Sequence, residues 1–458
     1  MEHNDPSQTR KNPLTTAPIG PVLVKLSAPM LVGILAMMAF NLVDTFFVGR
    51  LGTLPLAAMT LTFPVIMVIG MFTLGLGVGA MAVISQGIGA GDLQQTRRTA
   101  TDALILASVC VVVLTLIGLA TLEPLFRLLG ATEAMLPLIR QYMLIWYLGM
   151  PFYAIPMVGN NIIRATGDTL TPSIVMVAGV ALNAVLDPIL IFGWGPIEAL
   201  GIAGAAVATV VARAMTLIVI LWILGRREHL LVLSWPGTRV LWQSMKTILR
   251  IGLPVAVSNA IIPLAMGLVT RVVTQFGPAT VAGFGVATRI EGFGMSLVYA
   301  VSTGISPFVG QNFGAGRFDR IHRAFTLIKA FCMAWGLLLA ITFWLGAGLL
   351  ATWFNSDPEV MASARLYLWV VPFSLGLRSI HQMVWTALNV LNRPYDALAL
   401  EFLLAFVLWI PLAYVGAHFA EDLGVYSGLA LANLLAGITA YVWIDRVTEK
   451  LGGRKTED

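Results

Sequence analysis

The sequence predicts an all-α integral membrane protein of about twelve transmembrane helices in two pseudo-symmetric six-helix bundles, and three observations carry that prediction. Of 458 residues, 58% are hydrophobic and only 11% charged. A soluble domain keeps roughly a quarter of its residues charged, so this chain must place apolar surface in lipid. Second, crossing about 30 Å of hydrocarbon takes roughly 20 apolar residues. Such runs recur about twelve times, centred near residues 34, 70, 110, 146, 182, 213, 262, 295, 335, 373, 407 and 434. Third, the second half of the chain repeats the scaffold residues of the first.

Breakers and charges separate the runs: Gly49-Arg50-Leu51-Gly52, Gly89-Ala90-Gly91-Asp92 and Gly167-Asp168-Thr169 are the clearest. A longer polar stretch divides the chain into an N-terminal lobe, 1–225, a cytoplasmic linker, 226–247, and a C-terminal lobe, 248–458. The 44 glycines and 23 prolines fall largely inside apolar runs, where they point to close helix packing and interrupted helices rather than loops. Cys110 and Cys332 each stand alone in an apolar stretch, which argues for neither a disulfide framework nor a metal site. The polar start, Met1 to Gly20, lacks a signal-peptide layout, so the first apolar helix is expected to act as its own insertion signal.

The net charge of +5 is no nucleic-acid signal, because the basic residues sit in short loops. Arg97, Arg98, Arg226, Arg227, Arg239, Arg317, Arg320 and Arg323 share one side with Arg10, Lys11, Arg446, Lys450, Arg454 and Lys455 at the termini. The opposite loops hold Glu198, Asp357, Glu359, Glu421 and Asp422. The positive-inside rule then puts both termini in the cytoplasm.

Gln86-Gly87-Ile88-Gly89-Ala90-Gly91 and Gln311-Asn312-Phe313-Gly314-Ala315-Gly316 share Gln-x-x-Gly-Ala-Gly, 225 positions apart. The same offset pairs Pro29 with Pro254, Gly52 with Gly277, Gly79 with Gly304, Arg140 with Arg365 and Tyr142 with Tyr367. Later the offset slips to 223, pairing Pro188 with Pro411, Gly193 with Gly416 and Gly201 with Gly424. An even number of helices per half gives the halves one orientation, with a path between them.

Ionisable groups deep in a span cost at least ~2.5–3.5 kcal/mol, so their positions guide function. Asn41 and Asp44 are three apart on the first span, Asn183 and Asp187 four apart on the fifth; each pair shares a helical face. Thr209 lies midway along the sixth. If these faces converge, two carboxylates, two amides and a hydroxyl share a pocket. An isolated Asp ionises near ~3.9, but two carboxylates together in apolar surroundings titrate as one coupled system and can carry a proton. All-oxygen ligands equally suit Na⁺. No other metal or cofactor site is legible. A second group comprises Arg289 and Glu291 on the eighth span, Arg378 and His381 on the tenth, and Glu401 on the eleventh. Glu291 is near mid-membrane, whereas Arg378 and Glu401 are placed where snorkelling is cheap. Arg213, four residues after Thr209, is accounted for if it neutralises a carboxylate such as Asp187. Gly75-x-Gly77-x-Gly79 and Gly283-x-Gly285 occur in membrane-length runs, outside the strand–turn–helix context of a dinucleotide loop, and read as packing surfaces. Met30, Met37 and Met38 can line an adaptable pocket.

Asn-Leu-Val-Asp-Thr-Phe-Phe-Val-Gly at 41–49, the twin Gln-x-x-Gly-Ala-Gly motifs, Arg164-Ala165-Thr166-Gly167-Asp168-Thr169 with Pro172, and Ala287-Thr288-Arg289-Ile290-Glu291 resemble the multidrug and toxic compound extrusion (MATE) family over residues 15 to 450. The chain is most similar to the DinF-like branch. The resemblance implies a cation site in the N-terminal half at Asp44, Asn183, Asp187, Thr209 and Asn41. It also implies a helix-bending proline at Pro29, and a substrate cavity or gate involving Pro29, Met37, Tyr142, Asn160, Asn161 and Glu291. The NorM-like branch uses further acids on spans seven and ten, which here carry none. The implied protein is no enzyme. It is an antiporter of the bacterial cytoplasmic membrane, admitting H⁺ (or Na⁺) and exporting organic, amphiphilic, often cationic compounds, with lipid its only other partner and no protein partner required. A flippase for lipid-linked precursors is the alternative, but it calls for extra helices or a strongly basic central cavity, and neither is visible in the sequence.

Overall fold

The computed structural model describes residues 13–453 other than 197, 233, 235, 236 and 355; among these it is helical throughout, with no sheet. A short turn, Pro13–Thr16, precedes α1 (Ile19–Gly49), α2 (Thr53–Ala90), α3 (Leu93–Leu128), α4 (Leu136–Ala165), α5 (Leu170–Phe192) and α6 (Ile202–Trp222, extended by a π turn to Arg227). The second half follows with α7 (Thr238–Val273), α8 (Pro278–Gly314), α9 (Phe318–Thr352) and α10 (Pro358–Val390, with a 3₁₀ step at Val371–Ser374). The final apolar stretch runs from Pro394. Ala420 (φ −151°) and Glu421 (φ 50°) break its helix, dividing it into α11 (394–419) and α12 (422–453). That makes twelve spans, as the apolar runs predict.

Local chemistry sets the boundaries. Gly91 closes α2 in the left-handed region at φ 80°, which costs glycine nothing. Asp92 then caps α3, its side chain accepting from the Gln95 amide at 3.0 Å, as an N-cap residue should. Pro278, Pro358 and Pro394 stand at first helical positions, where no amide hydrogen is needed. The segment expected to link the halves, 226–247, is shorter than that. Helix covers Thr238 onward, because Ser244, Met245, Ile248, Ile251 and Gly252 are buried on one face while Trp242 is exposed. The polar composition that suggests a linker is the outer face of an amphipathic helix.

The lobes meet through α2 against α7 and α1 against α8, and glycine makes the approach possible. A Cβ on Gly79 would come within 2.6 Å of the Ile248 carbonyl and 3.0 Å of the Gly252 amide. One on Gly304 would come within 2.7 Å of Ser27 Oγ and 3.0 Å of the Leu26–Ser27 peptide. Gly79 and Gly304 are repeat partners, as are Ser27 and Gly252, so the two crossings are one contact used twice.

The motif glutamines do the same. Gln86 donates to the Val390 carbonyl at 2.6 Å, and Gln311 to the Ala165 carbonyl at 2.7 Å. Ala165 and Val390 are again 225 apart, so each motif reaches the end of the opposite lobe's fourth helix. Gly89 packs on the Gln311 backbone and Gly314 on that of Gln86. Leu14 and Ala17, at the start of the N-terminal lobe, accept from Asn312 and Arg320 of the other. The seal lies wholly on the side of the basic loops. One hydrophobic core runs through both lobes, and its N-terminal-lobe members lie towards the basic side. A second core, around Phe126, Tyr142 and Tyr147, belongs to the N-terminal lobe alone. The lobes are thus joined at the basic side and stand apart towards the acidic one.

Candidate functional site

Helical spacing and the packing of α1, α4, α5 and α6 assemble an acidic site inside the N-terminal lobe. Asp44, Asn183 and Asp187 are all buried. Asn183 Nδ2 donates to Asp187 Oδ1 at 3.2 Å and lies 3.4 Å from Thr209 Oγ1. Asp44 on α1 is within Coulombic reach of Asp187, and the buried Tyr142 of α4 is within reach of both. Among the described residues, Asp44 Oδ1, Asp187 Oδ2 and Asn183 Oδ1 have no hydrogen-bond partner. Buried acceptors are rarely left so, and three in one place suit a proton or a small hard cation. The side chain of Asn41 lies outside the described residues.

Beside this site is a cavity of about 380 Å³, bounded by Met30, Met37, Asn160, Asn183, Thr209 and Arg213 among others. Asn183 and Thr209 thus separate the carboxylates from it. Leu74, Tyr153, Met157, Arg164 and Thr303 border both this cavity and one of about 570 Å³ between the lobes. Asn161, Asn259, Gln382 and Asn389 add amides to the interlobe cavity. Pro29 sits within α1 next to Met30. Arg213 forms no ion pair among the described residues. Its guanidinium stacks over Tyr153 at 5.2 Å and Phe40 at 5.7 Å, so neutralising Asp187 is not its role.

In the C-terminal lobe Glu291 accepts from Tyr367 at 2.6 Å; it borders neither cavity, and nor does Arg289. Arg378 and Glu401 are buried and line the interlobe cavity, so they do not snorkel. Helix length explains the difference. The 33 residues of α10 span about 50 Å at 1.5 Å per residue, so a position near the end of an apolar run is still deep. Arg378 Nη1 donates to His381 Nδ1 at 3.0 Å. That ring must therefore carry its hydrogen on Nε2, which faces the Leu400 carbonyl at 3.3 Å.

Arg164 escaped the sequence reading as a cavity residue, although it follows Asn160 and Asn161 by four and three positions. That spacing on one helical face is the signal that could have found it. Gly75 and Gly79 pack on α7, Gly77 on Asn161 and Gly283 on α10, as expected of packing surfaces, while Gly285 meets nothing.

The chain resembles known proteins over nearly its whole length. The MatE family model matches residues 29–189 and again 254–415, one copy per half and 225 positions apart at their starts. A Shewanella oneidensis protein named FAD transporter is 36% identical over 439 residues, covering 95% of this chain and 96% of that protein. The multidrug export protein MepA of Staphylococcus aureus is 25% identical over 446 residues, 94% of this chain and 96% of its own length. Among solved structures, the Vibrio cholerae MATE transporter VcmN in its bent form superposes with a TM-score of 0.90 at 31% identity, covering 94% of this chain and 97% of that one. With a family repeat in each lobe and the two-lobed helical fold around a shared cavity, this chain belongs to the MATE family of membrane transporters.

Proposed function

We propose that the protein is a proton-coupled antiporter of the DinF-like branch, working in a bacterial cytoplasmic membrane with both termini in the cytoplasm. The observation that carries this reading is the juxtaposition of Asp44 and Asp187, with unpartnered oxygens, behind Asn183 and Thr209 at the wall of a cavity. Two neighbouring carboxylates share a proton more readily than either holds a charge in an apolar interior. Na⁺ is the competing ion, since the same oxygens would coordinate it.

On this topology the glycine and glutamine seal is cytoplasmic, so the conformation faces outward. Transport then proceeds by rocking the lobes about the repeat axis. One proton entering down ~100 mV supplies ~2.3 kcal/mol, and one pH unit adds ~1.4. Together these sustain a gradient of a few hundredfold for an uncharged cargo.

For the cargo the relatives' names divide. MepA is named for multidrug export, which supports amphiphilic, often cationic organic compounds. The Shewanella protein, at 36% identity, is named for FAD, which favours a flavin dinucleotide as a second reading. Purified protein in vesicles, with a pH gradient and a Na⁺ gradient imposed separately, tests the coupling. Efflux that follows ΔpH at equal Na⁺ is expected. Efflux that follows Na⁺ at symmetric pH and ignores ΔpH assigns Na⁺ instead.

A further inference from the structure

Three guanidinium groups line the two neighbouring cavities, which share part of their lining: Arg164 in both, Arg213 in the N-lobe cavity and Arg378 in the interlobe one. Arginine stays ionised in any protein environment, so each is a fixed positive charge. None forms an ion pair within 4.0 Å among the described residues, and Arg164 Nε is buried with no partner. Against them the linings offer one carboxylate, Glu401. Asp44 and Asp187 border neither cavity. The lining itself is therefore net positive, with Glu291 near Arg378 and the aspartate pair behind Asn183 and Thr209 the nearest further carboxylates, and an anion touching the three guanidinium groups would complete it.

From this imbalance we infer that the two neighbouring cavities together bind a soluble organic anion: an aromatic compound bearing phosphate or diphosphate, held by Arg164, Arg213 and Arg378. The inference rests on the transport reading above and narrows its cargo. A guanidinium fork matches phosphate oxygens two at a time, and three forks suit a diphosphate better than a single charge. Aromatic surface lies beside them, since Tyr153 borders both cavities and Tyr299 and Trp385 line the interlobe one. These rings, with Met157 and Met37, offer flat and adaptable contacts to an aromatic ring system. Volumes of about 380 and 570 Å³ fall within the ~300–1,000 Å³ of small-molecule sites. Because Arg164 and Arg378 belong to opposite lobes, a bound diphosphate also bridges the two bodies that must rock.

Riboflavin, flavin mononucleotide and FAD carry one ring system with no, one and two phosphates, so they isolate the anionic contribution. The full-length protein in phosphatidylcholine nanodiscs, without any gradient, is titrated with each and followed by flavin fluorescence. Affinity is expected to rise at least tenfold from riboflavin to FAD and to weaken with salt. Inorganic pyrophosphate should compete with FAD. Arg164→Gln and Arg378→Gln should each bring FAD close to riboflavin, while Arg378→Lys, which keeps the charge, recovers part of the difference and shows that the site still folds. Riboflavin binding as tightly as FAD, unchanged binding in both Gln variants, or tetraphenylphosphonium binding more tightly than FAD would each overturn the inference. So would loss of FAD binding when phosphatidylglycerol is added while pyrophosphate fails to compete, since the site would then belong to a lipid headgroup. Binding at equilibrium does not depend on coupling. A protein that binds FAD but moves nothing under ΔpH or Na⁺ gradients fails the antiport reading alone.

Discussion

His381 occupies the middle of a buried chain from Arg378 to the Leu400 carbonyl, linking α10 to α11 with both ring nitrogens used. Removing it orphans the Arg378 hydrogen it accepted, while the Leu400 carbonyl keeps only the Leu403 amide. His381→Ala is expected to destabilise the protein by about 2 kcal/mol, within the range for orphaning buried polar groups. His381→Gln, which can still accept and donate, should lose less than half of that. Thermal unfolding of the purified variants checks both, and equal melting temperatures for Ala and wild type would contradict the role. At this scale the acidic pair was legible because acids are rare in apolar runs and i, i+3 or i, i+4 spacing fixes their faces. Arg378 and Glu401 were misplaced because run boundaries reveal little of depth when helices outrun the hydrocarbon. Arg213, which the sequence explains only if it neutralises a carboxylate, stacks on two aromatic rings instead. Sequence shows which charge needs company but not which face of a neighbouring helix supplies it.

Between elements, the two Gln-x-x-Gly-Ala-Gly motifs act as halves of one clasp. Each glutamine closes on the opposite lobe's fourth helix and each glycine admits the other's backbone. A neutral hydrogen bond contributes ~0.5–1.5 kcal/mol net, so Gln86→Ala with Gln311→Ala removes about 2 kcal/mol from the closed seal. That corresponds to more than a tenfold shift towards opening on the basic side. Spin labels on α2 and α7 at that side should report a longer distance population in the double variant. An unchanged distribution would mean that the glutamines are incidental to the seal. The repeat itself was readable from the chain, because a fixed offset survives composition bias. Its meaning was not, since the glutamines' partners across the lobes lie 304 and 146 residues away and no local pattern names them. The linker boundary failed for a local reason, the amphipathic start of α7.

Across the whole molecule, symmetry of scaffold coexists with asymmetry of charge. Asp44 corresponds to Val269, which is fully buried, and Asn183 to Leu408. Tyr142 and Tyr367 match in position, yet the first lies near two aspartates and the second donates to Glu291 alone. Two matching bodies satisfy the geometry of rocking, while one ion site is enough to couple it. The orientation carries its own test: single cysteines at Asp5 and Lys455, both outside the described residues, should resist a membrane-impermeant thiol reagent in intact cells. Labelling of either would invert the sides given to the seal and the cavities. The central claim, that coupling resides in the first lobe, is tested most directly by ΔpH-driven efflux from vesicles holding equal amounts of four proteins. These are the wild type, Asp44→Asn, Asp187→Asn and Glu291→Gln. The two aspartate variants keep their shape but cannot release a proton, so efflux should fall at least a hundredfold in the first and nearly as far in the second. Glu291→Gln, still able to accept from Tyr367, should keep at least a third of wild-type rate. Efflux that persists in Asp44→Asn and vanishes in Glu291→Gln would place the coupling site in the second lobe and contradict the account.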